Sequence, residues 1–152
     1  MKPLFFAVGA IACLIVGCTS SPDNEYYSYA FLKNDFGQVA VVAAVTVKDV
    51  TAVDRMGPHT AGAGYVRYRI RCEVIEPFKG EAKTGEQMIY YSVADQDYDP
   101  AHYRGDKVVF LNKGFDKGKK KSVLTELENS TRPTTKEVLD TMRKIEAEAK
   151  GK

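Results

Sequence analysis

The segment YVRYRIRCEVIE, from Tyr65 to Glu76, constrains this chain more than any other. Val66, Tyr68, Ile70, Cys72 and Val74 fall on one side of an extended chain, and Arg67, Arg69, Arg71 and Glu73 on the other. A period of two belongs to a strand with one face in a core and one in water, because a helix would scatter the same residues around its circumference. Cys72 is therefore expected to be buried. Four further runs read as strands. Val39 to Val50 (VAVVAAVTVKDV) carries too much valine for a comfortable helix. Gln87 to Val93, Lys107 to Asn112 and Ser122 to Leu127 follow, and the glycine-containing connection KGFDKGKKK makes a hairpin of the last two. Five short strands leave edges that invite pairing with other chains, so a small closed or partly open barrel is the economical arrangement.

The tail then changes period. Thr134 and Glu137 form a Thr-x-x-Glu capping box, and Val138, Met142, Ile145 and Ala149 follow at i, i+4, i+7 and i+11 with Leu139 beside them. This predicts one amphipathic helix whose apolar stripe covers a mouth or flank of the barrel. Ahead of the first strand, YYSYAFLKNDFG reads as a helical turn or docking segment. Its tyrosines either pack on the domain or sit at a membrane headgroup interface. A chain of 152 residues with 44% hydrophobic and 28% charged content suits one small core.

Residues 1–17 stand outside that core. Met1-Lys2 is a short positive start, Leu4 to Val16 is almost unbroken apolar sequence, and no acidic residue precedes Asp23. The apolar stretch is shorter than the roughly 20 residues of a membrane-spanning helix, and a polar segment follows it, as in a secretory signal. Its end, Ile15-Val16-Gly17-Cys18, resembles the lipobox of bacterial lipoprotein signal peptides. The resemblance implies cleavage before Cys18, a thioether-linked diacylglycerol on its thiol, and acylation of its new amino group. Thr19 in place of Asp implies sorting to the outer membrane in a Gram-negative cell. Several acyl chains anchor stably where one is marginal. The expected division is a signal over 1–17, a lipidated Cys18 with tether and docking segment over 18–35, the barrel over 36–128, and the C-terminal helix over 129–152.

Export makes the cysteines easy to account for. Cys13 leaves with the signal, Cys18 is blocked, and Cys72 remains alone, so no intramolecular disulfide is expected. Without Lys2 the mature chain carries 21 basic residues against 20 acidic ones. That balance gives no global field for a nucleic acid, which envelope location also excludes as a partner. The expected partners are the membrane, through the acyl chains, and an envelope protein.

The strand order with its terminal helix, the turn Phe78-Lys79-Gly80 and the strand entry Gly105-Asp106-Lys107-Val108-Val109-Phe110-Leu111 resembles the netrin-like, or tissue-inhibitor-of-metalloproteinase-like, domain over about residues 36–128. The resemblance implies an oligonucleotide-binding-type (OB-like) barrel, mainly β, of five strands with a C-terminal amphipathic helix. Gly80 and Gly105 independently suit turns with positive φ. The animal inhibitors chelate the protease zinc through a free N-terminal cysteine held by disulfides. Here Cys18 would be acylated and those disulfides have no cysteines, so inhibition by that route is not implied.

No G-x-S-x-G or H-E-x-x-H motif occurs, His59 and His102 are far apart, and no nucleophile has an evident base, so no catalytic residue, cofactor or metal is assigned. Three features remain as candidate contact sites. Arg67, Arg69 and Arg71 form a row on one sheet face, backed by lysines 113, 117, 119, 120 and 121, and either bind an anion or form a solvated face laced to Glu73. Asp95, Asp97 and Asp99 alternate, with Asp106 twelfth from Asp95, an imperfect calcium-loop spacing because Pro100 stands where glycine belongs. The connection Thr51 to Gly64, which contains His59, is long and glycine-rich, as contact loops are. The leading expectation is a non-catalytic protein-interaction module using that loop. The alternatives are a binder of an anionic ligand or Ca2+, or a protease inhibitor acting through loops.

Overall fold

A computed structural model describes residues 28–57 and 64–152. The expected signal over 1–17, the expected lipidation site Cys18 and its expected tether, together with His59, lie outside the described residues. Within them the chain is mainly β: helix α1 (Tyr29–Gln38), strands β1 (Val41–Met56), β2 (Tyr65–Lys79) and β3 (Gln87–Asp95), a 3-10 turn (Pro100–Tyr103), strands β4 (Gly105–Asp116), β5 (Lys121–Glu126) and β6 (Arg132–Pro133), and helix α2 (Lys136–Lys150). Among the described residues no helix is long and apolar enough to cross a membrane.

All six strands join one sheet in the order β1-β2-β3-β5-β4-β6, and a further β1–β4 pairing closes five of them into a ring. Every neighbouring pair is antiparallel except β3 and β5, which meet in parallel at Tyr90–Leu124 and Tyr91–Thr125. β1 is the strand that permits closure. Its first half pairs with β4, from Val41–Leu111 to Val47–Gly105, while its pairing with β2 runs from Val42–Lys79 to Met56–Tyr65 across four register shifts. Such bulges bend and twist a strand, which a ring this small requires.

The alternating residues of β2 behave as their pattern dictates. Val66, Tyr68, Ile70, Cys72 and Val74 fill the ring's interior with Val41, Ala43, Val45, Met88, Tyr90, Val109 and Leu111. A second cluster lies outside the ring, where Val42, Ala44, Val108 and Phe110 are covered by Leu32 and Phe36 of α1 and Val138, Met142 and Ile145 of α2. β1 and β4 are thus buried on both faces, which is why their sequences read VVAAV and VVFL without alternation.

Several expectations change in detail. The first strand runs to Met56 instead of ending at Val50, so Thr51 to Met56, expected in the loop, pair with β2 as exposed strand. A sixth strand, β6, adds to the five expected; it takes Arg132 and Pro133 from the tail segment into the sheet beside Lys107 and Val108. The α2 cap is Thr135, whose Oγ1 accepts from the Val138 N–H at 3.3 Å, and not Thr134. Ala149, expected on the apolar stripe, is exposed near the C-terminal end of α2. The tyrosine-rich segment contributes a full helix, α1, that packs on the domain and continues past the boundary drawn at residue 35.

A buried ion pair fastens α1 to the sheet. Asp35 Oδ2 lies 3.4 Å from Arg132 Nη2, and both side chains are nearly sealed from solvent, at 9% and 5% exposure. Gly80, at φ +91°, closes the β2 end against β1: a Cβ there would lie 2.7 Å from the Ala40 carbonyl oxygen. Gly105, at φ +84°, also takes the conformation expected of it.

Candidate functional site

On β2 the three arginines project outward, as alternation demands, but they do not form an open bank. Each meets a different cross-strand neighbour on β3: Arg67 opposes Val93, Arg69 opposes Tyr91 and Arg71 opposes Ile89. Arg67 lays its guanidinium over the Tyr91 ring, 4.3 Å from the centroid, and its Nη2 reaches Asp116 Oδ2 at 3.5 Å. Guanidinium over an aromatic face is an attractive geometry that also keeps the charge in place. Asp116 Oδ1 accepts the backbone N–H of Lys119 at 3.0 Å. That N–H and the Arg67 charge hold the Asp116 carboxyl below the ordinary range. The result is a brace from β2 across Tyr91 to the β4–β5 hairpin. Tyr91 belongs to the outer face, yet only 6% of it is exposed, because the brace covers it.

Beside the brace lies a groove of about 610 Å3. Arg69, Ile89 and Tyr91 form its sheet side, and Lys113, Lys119, Lys121, Ser122, Val123 and Leu124 its hairpin side. Four of these side chains are cationic and none is a carboxylate. Lys119 Nζ also stands 6.0 Å from the Tyr91 centroid, so this ring is a shared floor for cations from both walls. Arg71 is exposed and does not line the groove. A second cavity, of about 600 Å3, continues past Tyr91 and Arg67 toward Tyr65, Tyr98, Tyr103, Asp95, Glu126 and Glu128. In its lining the Tyr103 and Ser92 hydroxyls are hydrogen-bonded at 2.7 Å, and burial pushes the Tyr103 hydroxyl up to about 12.

The aspartates do not converge. Asp95 ends β3, its carbonyl accepting the Tyr98 N–H, and Asp97 is exposed. Asp99 caps the 3-10 turn by accepting the Ala101 N–H at 2.8 Å. Asp106 accepts from the Thr46 hydroxyl at 2.7 Å on β1. Among the described residues no three His, Cys, Asp or Glu side chains gather as a metal-binding group. His102 packs against Tyr98 in a tilted arrangement, centroids 5.3 Å apart. Cys72 is fully buried, its thiol directed at the Met88 carbonyl and pushed up to about 12 by burial, far from the thiolate that reactivity requires.

Sequence reasoning named the lysines and Arg69 but missed Tyr91 and Asp116. Tyr91 stands between two interior positions of β3 and so reads as an ordinary outward residue. Only the hairpin folding back over it makes it a floor. Comparison with protein-family models, with curated proteins and with solved structures finds no match.

Proposed function

We propose that this chain is a non-catalytic, lipid-anchored protein of the bacterial cell envelope that binds an anionic ligand in the groove between β2, β3, β5 and the β4–β5 hairpin. The observation that carries the proposal is the lining: Arg69, Lys113, Lys119 and Lys121 surround an apolar floor with no carboxylate among them. Like charges gathered around one concavity repel each other, and a bound anion relieves that repulsion through charge-assisted hydrogen bonds.

An OB-like, netrin-like barrel is the finer reading of the fold, supported by the five-strand ring with β5 between β3 and β4. Barrels of that type bind ligands on the strand 2–3 face and at the loops joining strands 1–2 and 4–5, and the groove occupies that face and the β4–β5 side. The anchor rests on Ile15-Val16-Gly17-Cys18, and Thr19 favours the periplasmic face of the outer membrane in a Gram-negative cell. Contact with an envelope protein fits the same groove if the partner's surface is acidic. The Thr51–Gly64 connection supports less, since its first six residues are strand and its centre lies outside the described residues.

Titration of the full chain with inorganic polyphosphate tests the groove. Replacing Lys113 and Lys121 together by Gln removes two exposed charge contacts and should weaken binding between about twofold and thirtyfold, with a shallower salt dependence. Lys136→Gln on α2, remote from the groove, should change nothing. Equal affinity of the groove variant and the parent would sink the proposal. Metabolic labelling with a fatty-acid probe that survives Cys18→Ser would separately remove the anchor.

A further inference from the structure

The most exposed large hydrophobic side chain among the described residues is Phe115, at 62%. It stands in the β4–β5 hairpin opposite Ser122, within the run Lys113–Lys121 that also holds lysines 117, 119 and 120. The run has one acid, Asp116, and that carboxylate is turned back onto Arg67 and the Lys119 N–H. The pairing of β1 with β4 ends at Leu111, and that of β3 with β5 begins at Leu124. Residues 112–123 therefore leave the ring as a two-stranded arm, held by its own ladder and by the Arg67–Asp116 brace.

A soluble anion would account for the lysines but leaves a phenyl ring in water at the end of the arm. A bilayer accounts for both. Lysines near an anionic surface are each drawn to headgroup phosphates, and an aromatic ring is favoured at the boundary between headgroups and acyl chains. We infer that the β4–β5 hairpin is a membrane-docking arm, separate from the N-terminal anchor, that seats on a bilayer containing anionic lipids. The lysines take headgroup phosphates and Phe115 enters between them. The inference rests on the groove being an anion site and identifies that anion as a lipid headgroup. Arg67 and Asp116 matter to it as the brace that fixes the arm's position against β2.

The chain contains no tryptophan, so Phe115→Trp provides one unambiguous reporter. The full chain carrying this change, reconstituted into phosphatidylcholine vesicles, is mixed with added vesicles of phosphatidylcholine or of phosphatidylglycerol. The indole emission of this variant should shift to the blue with phosphatidylglycerol alone and return when salt is raised. In the parent chain, Phe115→Ser should weaken capture of phosphatidylglycerol vesicles about tenfold. Lys117→Gln with Lys120→Gln, both outside the groove lining, should weaken it about thirtyfold. Neither change should alter polyphosphate binding in the groove. An indole emission that stays unshifted with phosphatidylglycerol, or shifts equally with phosphatidylcholine, overturns the docking arm. If polyphosphate still binds in that case, the groove reading stands alone; if it does not bind, both fail.

Discussion

Removing one partner of the Asp35–Arg132 pair tests whether α1 is an integral part of this domain. The two charges are 3.4 Å apart, which is worth roughly 5 kcal/mol of attraction at an effective dielectric of about 20. Each ion also costs several kcal/mol to take out of water. For Asp35 the cost is the larger effect: burial pushes its carboxyl above the ordinary value, and the Arg132 guanidinium pulls it only part of the way back. The intact pair is therefore close to neutral for stability, whereas an Arg132 deprived of the Asp35 carboxylate is not. Its Nη1 keeps the carbonyls of Asn129 at 2.6 Å and Thr131 at 3.1 Å, so Asp35→Ala should cost about 3 kcal/mol, the lower end for a broken buried pair. Asp35→Asn keeps an acceptor and should cost no more than about 1 kcal/mol. Replacing both residues, as Asp35→Leu with Arg132→Met, should restore most of the loss. Urea unfolding followed by far-UV circular dichroism measures all three. The pH dependence has a definite sign. A carboxyl raised on folding contributes stability that is complete below its unfolded value and is lost as pH rises through its folded value. The stability difference between the parent chain and Asp35→Asn should therefore move against the parent as pH climbs through the window just above the ordinary carboxylate value. A cost below about 1 kcal/mol for Asp35→Ala would mean that Arg132 is not desolvated and that α1 does not seal it.

Three further outcomes follow from local geometry. Thr135→Ala should destabilise by about 1 kcal/mol by removing the α2 cap, while Thr134→Ala should stay within about 0.5 kcal/mol; reversed costs would restore Thr134 as the cap. Gly80→Ala combines a left-handed backbone with a clash against the Ala40 carbonyl and should cost about 2–3 kcal/mol, whereas Gly85→Ala, also at positive φ but with open space around it, should cost about 1 kcal/mol. In thermal melts, equal shifts for the two glycines would refute the close approach. Native Cys72 should react with iodoacetamide only as fast as the domain unfolds, since its thiol is buried and pushed up to about 12; mass spectrometry showing rapid labelling at neutral pH would contradict that burial.

The period-two pattern of Tyr65–Glu76 was enough to place β2, its inward set and the burial of Cys72, because a strand in a one-sided core leaves no other phase. Valine runs located β1 and β4, and 3.6-periodicity located α2, since these signals depend only on neighbours along the chain. Positive φ at Gly80 and Gly105 was legible for the same reason. What the tertiary structure alone decided are the pairings that local sequence does not encode. The β1–β4 contact closes the ring, and the bulges carry β1 to Met56 where composition suggested a loop. The burial of Asp35 with Arg132 joins residues 97 apart, a partnership no spacing rule can reach. The arginine row shows the division within one segment. Alternation put Arg67, Arg69 and Arg71 on the outer face, but their separate roles as brace, groove wall and exposed side chain came from what β3 and the hairpin set against each. Direction along a strand is a property of the chain; the neighbour a side chain meets is a property of the fold.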